Sequence, residues 1–390
     1  MSLKPTDLVE YLEAEGELGP ADEAEVWPEY DAELGDLYLV DWRRLFGSER
    51  REPLFPDQGI DVFEGSFLDE IGSLVGQGPP SGQAETAAVA GRRPDLCAWY
   101  QPIHFHGLAW GIFLRDDCLR SIAVDVARWV PRLHHADPGS LAPSLLRMSF
   151  ASLYLHEVYH HKTEAHAVRL TVAERKPCYR RYWNAVYAPA ARPGGGGALE
   201  EALANADSYR RLGEQTYRRF VPDLIYQAAQ DYLRWRFPLD PPGYHDAPAY
   251  LRNADNEAGQ NTLKSQVQEA VARPYRTVSQ WRLAPNMNES LFGITSDIWV
   301  IVPAGARPIL PTFPLYRPAS TAKLVASLKR EFGYTEAKGG KGSHVKLKAR
   351  DLPTIILPGG RKDLSPVVLK SIAGALGYRD TGELLVRLGL

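Results

Sequence analysis

Residues 153–165 read LYLHEVYHHKTEA and contain the string His156-Glu157-x-x-His160 in a stretch without glycine or proline. This stretch predicts a helix, because nothing in it interrupts helical hydrogen bonding. A spacing of four residues stacks His156 and His160 on one face, where two imidazoles can bind one zinc ion. Glu157 lies beside them, where its carboxylate can take a proton from water. The layout predicts the centre of a metal-dependent hydrolase.

Length and composition indicate a folded protein of two or three domains. The chain has 390 residues, of which 44% are hydrophobic and 24% charged, and one core rarely serves so many residues. Its three cysteines are far apart and odd in number, so we expect no disulfide. No leader-like segment opens the sequence, and no apolar run approaches the roughly 20 residues that cross a bilayer. We therefore expect a cytoplasmic protein without a membrane partner.

Charge is distributed unevenly along the chain. Residues 320–390 hold 13 Lys and Arg against 6 Asp and Glu, a net charge of +7, whereas the whole chain carries −3. The first 36 residues hold 12 acidic residues and one basic residue. A solvated acidic face is the simplest interpretation of this N-terminal segment. The alternative is an acidic mask for the basic end, or a binding site for a partner.

Loops rich in glycine and proline divide the chain. They fall at residues 76–82, 189–197, 238–248 and 303–318. Between them, aromatic and β-branched runs predict two strands of a hairpin, and helical spacing predicts three further segments. The strands are expected at 96–105 and 108–114, and the helices at 121–130, 144–170 and 199–237, the last broken near Gly213 and Pro222. Residues 249–317 give no clear pattern, and residues 1–90 form an acidic region of unknown role.

Two histidines do not complete a zinc site, so a third protein ligand is needed. Glu164 continues the stripe of the two histidines, but its Cα is about 12 Å along the axis from that of His156, too far to share an ion. A second helix beyond the glycine-rich loop, in the sequence LEEALAN of residues 199–205, could return beside the first. Glu201 is the predicted ligand. Glu200 is the alternative, since a register error of one residue would exchange the two.

The strings HEVYH and Glu201-x-x-Ala204-Asn205 together resemble the gluzincin metallopeptidases, particularly small intracellular members. The resemblance implies that His156, His160 and Glu201 bind zinc and that Glu157 is the general base in hydrolysis of a protein or peptide substrate. In many of these relatives an aspartate four residues after the ligand glutamate steadies a zinc histidine. Asn205 occupies that position here, and can accept a hydrogen bond without bringing a charge.

The C-terminal residues predict a small module with the order helix, three strands, helix. A capped amphipathic helix begins at Ser320 and ends near Phe332. Strands are expected at 334–338, 344–348 and 353–357, and Ser365-Pro366 opens the last helix.

This order resembles the HicA family of messenger-RNA nucleases, which have a double-stranded-RNA-binding-domain-like fold. The motifs that carry the resemblance are Phe332-Gly333-Tyr334, Lys341-Gly342-Ser343-His344, Pro358 and Leu364-Ser365-Pro366-x-x-Leu369-x-x-Ile372. The resemblance implies that His344 acts in RNA cleavage and that an antitoxin-like partner exists. Four lysines would then hold RNA phosphates: Lys338, Lys341, Lys346 and Lys348. A second histidine that often follows the proline in these toxins is replaced here by Gly359-Gly360.

The predicted fold is α+β: a mainly helical zincin-like core at 91–317 with a small N-terminal sheet, and an α-β-β-β-α domain at 318–390 like a double-stranded-RNA-binding domain. Other histidines have plainer interpretations. His161 and His166 are expected on a satisfied polar face, and His104 and His106, alternating on a strand, are expected to pack at a turn. The alternative function is a non-enzymatic RNA-binding or interaction protein whose HExxH helix is structural.

Overall fold

The structure, a computed structural model, describes residues 5–19, 34–41, 45–46, 65–80, 82, 86–87, 94–132, 137–174, 177–269, 298–312, 319–337, 344–358, 363–364, 366–378 and 381–388. In this part of the chain the protein is α+β and mainly helical, with small sheets. This confirms the predicted α+β class with a mainly helical composition, whereas the zincin-like core and the double-stranded-RNA-binding-domain-like fold stay predictions. No helix in the described ranges is both long enough and apolar enough to cross a bilayer.

The first half of the chain brings a sheet against one long helix. Its elements are α1 (Pro5–Ala14), β1 (Asp36–Leu39), α2 (Gly65–Leu74), α3 (Pro94–Cys97), β2 (Ala98–Gln101), α4 (Ile103–His106), β3 (Gly111–Arg115), α5 (Asp116–Ala127) and α6 (Pro138–Glu174). A 3-10 turn at Gly107–Ala109 joins α4 to β3. The hairpin strands are confirmed, but they are shorter than predicted because short helices fill the joint between them.

Helix α6 has 37 residues and is therefore about 55 Å long. It begins where Asp137 accepts a hydrogen bond from the backbone N–H of Ser140 at 3.2 Å, with proline in the first helical position. Its apolar residues enter the main core, and its middle carries the HExxH string. The predicted helix at 144–170 is thus confirmed and extends at both ends.

The remaining helices of the central region surround α6. They are α7 (Tyr179–Tyr182), α8 (Ala188–Ala191), α9 (Leu199–Arg211), α10 (Gln215–Arg218), α11 (Asp223–Arg236) and α12 (Asn253–Glu269). A π-helical segment at Trp183–Tyr187 joins α7 to α8, and 3-10 turns lie at Phe237–Leu239 and Tyr244–Tyr250. The predicted breaks near Gly213 and Pro222 both occur.

The larger sheet has the strand order β1-β4-β3-β2, where β4 is Ile298–Val302. β2 is antiparallel to β3, β3 is parallel to β4, and β4 is antiparallel to β1. All five residues of β4 are buried, as expected of a central strand covered on both faces. On one face Trp99 stacks on Phe113 at 5.8 Å. The other face packs against the main core.

The C-terminal residues have the predicted order of helix, three strands and helix, with additions. The elements are β5 (Ala319–Ser320), α13 (Thr321–Phe332), β6 (Thr335–Glu336), β7 (His344–Lys348), β8 (Ile355–Pro358), β9 (Asp363–Leu364), α14 (Pro366–Leu376) and α15 (Thr381–Leu388). β6, β7 and β8 form one antiparallel sheet, and β5 pairs with β9. Val367 of α14 belongs to the same buried cluster as Trp99 and Phe113. The division of the chain at residue 318 stays a prediction.

Candidate metal centre

His156 and His160 project from the middle of α6 towards the first turn of α9. They are 4% and 2% exposed, and their Nε2 atoms lie 3.2 Å apart. The spacing of four residues has thus produced the stacking that the sequence predicts.

Glu201 meets the two histidines from α9. Its Oε2 atom lies 3.1 Å from Nε2 of His156 and 3.4 Å from Nε2 of His160. The glycine-rich loop brings α9 to this place: Gly197 has φ +95° and packs so closely on Gly243 that a Cβ atom would lie 2.0 Å from the Gly243 backbone nitrogen. Only glycine can hold this approach. The three side chains form a buried group that could hold a metal ion.

The outer nitrogen of each imidazole faces an oxygen of α9. Nδ1 of His156 lies 2.9 Å from Oδ1 of Asn205, and Nδ1 of His160 lies 2.9 Å from Oε1 of Glu200. The amide nitrogen of Asn205 donates to the carbonyl of Tyr244 at 3.2 Å, which fixes the amide so that its oxygen faces His156. In the neutral tautomer that donates from Nδ1 to these oxygens, each imidazole keeps a lone pair on Nε2.

Two phenols hold the adjacent glutamates. Tyr182 donates to Oε2 of Glu200 at 2.6 Å, and Tyr187 donates to Oε1 of Glu201. These tyrosines are five residues apart: Tyr182 directly precedes the π-helical segment, and Tyr187 is its last residue. Hydrogen bonds of a π turn span five residues rather than four, so residues at this spacing lie nearer one face than they do in an α-helix. The π turn therefore aims both hydroxyls at the start of α9.

The electrostatics of this group favour positive charge at its centre. Burial lowers the pKa of His160, but the charge of Glu201 and hydrogen bonds with both glutamates outweigh it and raise the pKa well above its usual value. Burial raises the pKa of Glu201, yet the neighbouring histidines lower it well below its usual range. Three electron-pair donors within 3.4 Å of one another repel unless a cation lies between them. That cation can be a proton or a metal ion.

The spacing fits zinc. Tetrahedral bonds of about 2.0–2.1 Å place ligand atoms about 3.3 Å from one another. The three observed separations, 3.1, 3.2 and 3.4 Å, bracket this value. His156, His160 and Glu201 also supply the nitrogen and oxygen ligands that zinc accepts, and three protein ligands leave one position for water or substrate.

A cleft with about 60 Å³ of internal space opens beside this group. His156, Glu157 and Asn205 line one part of it, and Glu157 is 3% exposed. The carboxylate of Glu157 is thus buried at the wall of this cleft, next to a histidine of the candidate centre.

Glu164, which distance excludes as a ligand on a straight helix, takes part in a second buried network. Its carboxylate accepts hydrogen bonds from the backbone N–H groups of Ile103 and His104 at 3.2 and 3.0 Å, from Nδ1 of His104 at 2.5 Å and from the hydroxyl of Tyr100. Burial raises the pKa of Glu164, but the bonds from His104 and Tyr100 outweigh it and lower the pKa. The ionised carboxylate therefore fastens the β2–α4 segment to the HExxH helix.

The prediction that His104 and His106 alternate on a strand is wrong. Both belong to the short helix α4, and His104 is fully buried against Glu164. The first backbone N–H groups of a helix have no partner within the helix. Those of Ile103 and His104 donate to the Glu164 carboxylate instead, which stabilises a helical turn at this position. His161 contacts the same network, because its Nδ1 atom lies 2.8 Å from the hydroxyl of Tyr100.

The expectation of no disulfide is also wrong. Cys97 and Cys118 form one, at a sequence separation of 21 residues and with 5.3 Å between their Cα atoms. Pairing of Ala98 with Leu114 brings the two ends of the hairpin together, which sequence separation alone conceals. Cys178 is the free cysteine and is buried. The cytoplasmic location stays a prediction. Cysteine usage no longer supports it, because disulfides are rare in cytosolic proteins.

The described residues of the candidate RNA-binding surface lie on β7. His344 is the first residue of this strand and pairs with Pro358. Lys346 forms an ion pair with Glu13 of α1, and Lys348 lies 3.9 Å from Glu10 of the same helix. Lys338 and Lys341 lie outside the described residues.

No protein-family model matches this chain, and no curated protein or solved structure matches it.

Several residues of the candidate centre were not found from the sequence. Glu200 was considered only as an alternative to Glu201, whereas the structure gives the two glutamates different partners. Tyr182, Tyr187 and Tyr244 were missed among 19 tyrosines. Tyr244 stacks on His156 at 5.5 Å, and no local pattern marks it. A π turn has no composition signal that would have drawn attention to Tyr182 and Tyr187.

Proposed function

We propose that this protein is a zinc-dependent hydrolase, a peptidase of the gluzincin kind, located in the cytoplasm. The observation that carries the proposal is the convergence of His156 Nε2, His160 Nε2 and Glu201 Oε2 within 3.4 Å of one another in a buried pocket. A helical histidine pair alone would be compatible with a structural role. Two further features favour metal binding: a third electron-pair donor comes from another helix, and each imidazole has a hydrogen-bond acceptor at its Nδ1 atom.

Each residue has a distinct role in this proposal. His156, His160 and Glu201 bind the ion, which when bound supplies Lewis acidity towards a peptide carbonyl and a water molecule. Glu157 accepts the proton of the attacking water and passes it to the leaving amine. Asn205 and Glu200 keep the imidazoles oriented, since each accepts a hydrogen bond from an Nδ1–H group.

Metal content tests this proposal. The purified chain should contain about one zinc ion per molecule, and His156→Ala and Glu201→Ala should lose most of it while keeping their circular dichroism. His245→Ala is the matched control, because His245 is 42% exposed and pairs with Asp246. Glu157→Gln should keep the metal but no longer hydrolyse peptides. Mass spectrometry of a mixed peptide library, incubated with the zinc-loaded protein, detects this hydrolysis. A chain without metal would favour a structural HExxH helix.

For the C-terminal residues we propose an RNA-directed role of the HicA kind, with an antitoxin-like partner. The supporting observations are the antiparallel β6–β7–β8 sheet between helices and the net charge of +7 over residues 320–390. Lys346 and Lys348, two residues apart on β7, lie on one face of that sheet, where they pair with Glu13 and Glu10 of α1. RNA phosphates would have to replace these two carboxylates. His344 would act in cleavage, and the lysines would hold phosphates.

RNA degradation by the full chain, compared with His344→Ala, tests cleavage. Loss of degradation in the variant supports a nuclease, and equal degradation by both proteins would contradict it. Binding without degradation, weakened steeply by added salt, would indicate an RNA-binding module instead.

A further inference from the structure

We propose that helix α1 inhibits RNA binding by the C-terminal residues, because its Glu10 and Glu13 pair with lysines that would otherwise contact phosphates. This inference rests on the proposed RNA-directed function and concerns the regulation of that site. The lysines are Lys346 and Lys348 of β7. The chain thus carries its own competitor for the surface that would bind RNA.

The carboxylates of α1 and the lysines of β7 face each other in two pairs. Glu13 forms an ion pair with Lys346, and Glu10 lies 3.9 Å from Lys348. The glutamates are three residues apart on a helix, which places them on one face about 5–6 Å from each other. The lysines are two residues apart on a strand, which places them on one face about 6.5 Å from each other. The similar spacings let both carboxylates meet both lysines at once.

Apolar packing holds α1 in place beside these pairs. Leu8, Val9 and Leu12 are at most 1% exposed and belong to the main core. The charged groups lie nearer the surface, where the side chains of Lys348 and Glu10 are 52% and 40% exposed. RNA therefore has to displace two carboxylates, and the helix that carries them stays packed.

The N-terminal half of the chain also covers the adjacent part of the sheet. Lys346 pairs with Ile356 of β8, so these two side chains lie next to each other on the same face. Both α1 and the 3-10 turn at Gly107–Ala109 contact β8, and Ile356 is 2% exposed. A phosphate that reaches Lys346 therefore comes next to α1 and its carboxylates.

Helix α1 is fastened to the part of the chain that holds the candidate metal centre. The hydroxyl of Tyr11 donates to the carbonyl of Thr171 near the end of α6 at 3.2 Å. The N–H of Gly19, beyond the helix, donates to the carbonyl of His104 at 3.0 Å. α1 also contacts α14 of the C-terminal residues. Its carboxylates are thus presented to β7 from a fixed support.

The charge of the N-terminal segment suits an inhibitory role. Residues 5–19 hold five Asp and Glu and no Lys or Arg, whereas residues 320–390 carry a net charge of +7. A lysine that already has a carboxylate partner gains less from a phosphate, because the displaced carboxylate loses its counter-charge and repels the RNA. The acidic segment should therefore weaken RNA binding without any change of fold.

Fluorescence anisotropy of the full chain with a short labelled 2′-O-methyl RNA, which cannot be cleaved through its 2′-oxygen, tests the proposal at about 0.1 M salt. The α1 variant, Glu10→Gln with Glu13→Gln, keeps the size of both side chains and removes their charges. A surface ion pair is worth up to about fivefold in an equilibrium constant. We expect the α1 variant to bind RNA about 5- to 20-fold more tightly than the wild type.

Two further sets of substitutions control for net charge. Asp69→Asn with Glu70→Gln removes the same charge from exposed residues of α2, which packs against α5 and α6. This control should bind RNA within about twofold of the wild type. Lys346→Ala with Lys348→Ala, added to the α1 variant, should bind RNA no more tightly than the two alanine substitutions alone.

The outcomes separate this inference from the RNA-directed function itself. If neither the wild type nor the α1 variant binds the RNA, the RNA-directed function fails and inhibition by α1 fails with it. If the wild type binds and the α1 variant binds no more tightly than the Asp69 and Glu70 control, inhibition is overturned while the RNA-directed function stands. A gain that persists without the two lysines also overturns it. If the α1 variant does not fold, Glu13→Gln alone decides, with an expected gain of about threefold.

Discussion

Nδ1 of His160 lies 2.9 Å from a carboxylate oxygen of Glu200, while Nε2 of the same ring faces Glu201. One imidazole thus contacts two adjacent glutamates of one helix through its two nitrogens. Adjacent residues of a helix point in directions about 100° apart, so only a side chain lying between those directions can meet both. The arrangement gives the two carboxylates different roles: Glu201 faces the Nε2 atom that would bind the ion, and Glu200 supports the ring at Nδ1.

Glu201→Gln and Glu200→Gln should therefore differ in their effect on zinc affinity. Glu201→Gln replaces the charged ligand by a weak amide oxygen, and we expect it to abolish stoichiometric zinc binding. Glu200→Gln removes the charge behind His160 and should weaken zinc binding about 10- to 100-fold. Competition with a chromogenic chelator measures both. An equal loss of zinc affinity in the two variants would contradict the assignment of Glu201 as the ligand and Glu200 as the supporting carboxylate.

Tyr187→Phe removes the hydroxyl that donates to Glu201 and leaves the ring in its buried place. Burial and the Glu201 charge raise the pKa of Tyr187 well above its usual value, so the phenol is a donor at every physiological pH. We expect a roughly tenfold weaker zinc affinity with an unchanged circular dichroism spectrum. Tyr378→Phe in the C-terminal residues is the control. Unchanged zinc affinity in Tyr187→Phe would mean that the phenol does not position Glu201.

Glu164→Ala should destabilise the fold by about 3 kcal/mol or more, because it leaves the buried donors of Tyr100 and His104 without their acceptor. Urea denaturation measures the change in the free energy of unfolding. Glu257→Ala, at an exposed helical glutamate, should change this free energy by less than about 0.5 kcal/mol. A small effect of both substitutions would refute the fastening role of Glu164.

Acidification should destabilise the protein through His166. Burial and the nearby charges of Lys264 and Arg169 lower the pKa of this histidine to about 4, against about 6.5 in an unfolded chain. Between these values the unfolded chain binds the proton and the folded protein does not, so stability falls as the pH falls from about 6.5 to about 4.

The contribution of His166 amounts to about 2 kcal/mol between pH 7 and pH 5. Urea denaturation at both pH values measures the free energy of unfolding. Its decrease from pH 7 to pH 5 should be smaller by this amount in His166→Gln than in the wild type. Equal losses in the two proteins would contradict the lowered pKa.

The parts of the centre that depend on local spacing were predictable from the sequence. His156 and His160 were found because four residues make one helical turn, and the long helix that carries them lacks internal breakers. Glu201 was predicted because a second helix beyond the glycine-rich loop could return beside the first, and its place beside the histidines depends on the loop that Gly197 closes against Gly243.

Features that depend on contacts between distant segments were not predictable. The Cys97–Cys118 bond needs the register of β2 on β3, and the helical form of α4 needs Glu164 from a helix 60 residues later. Strand β4 offered a usable signal, since IWVIV at 298–302 is a short run of apolar and mostly β-branched residues. Its parallel pairing with β3, across nearly 190 residues, has no local signature.

Diffraction data from crystals of the zinc-loaded protein, collected on either side of the zinc absorption edge, test the central claim most directly. The account predicts one anomalous peak about 2.0–2.2 Å from Nε2 of His156, Nε2 of His160 and a carboxylate oxygen of Glu201. Zinc bound elsewhere, or bound to the histidines with Glu201 turned away, would contradict it.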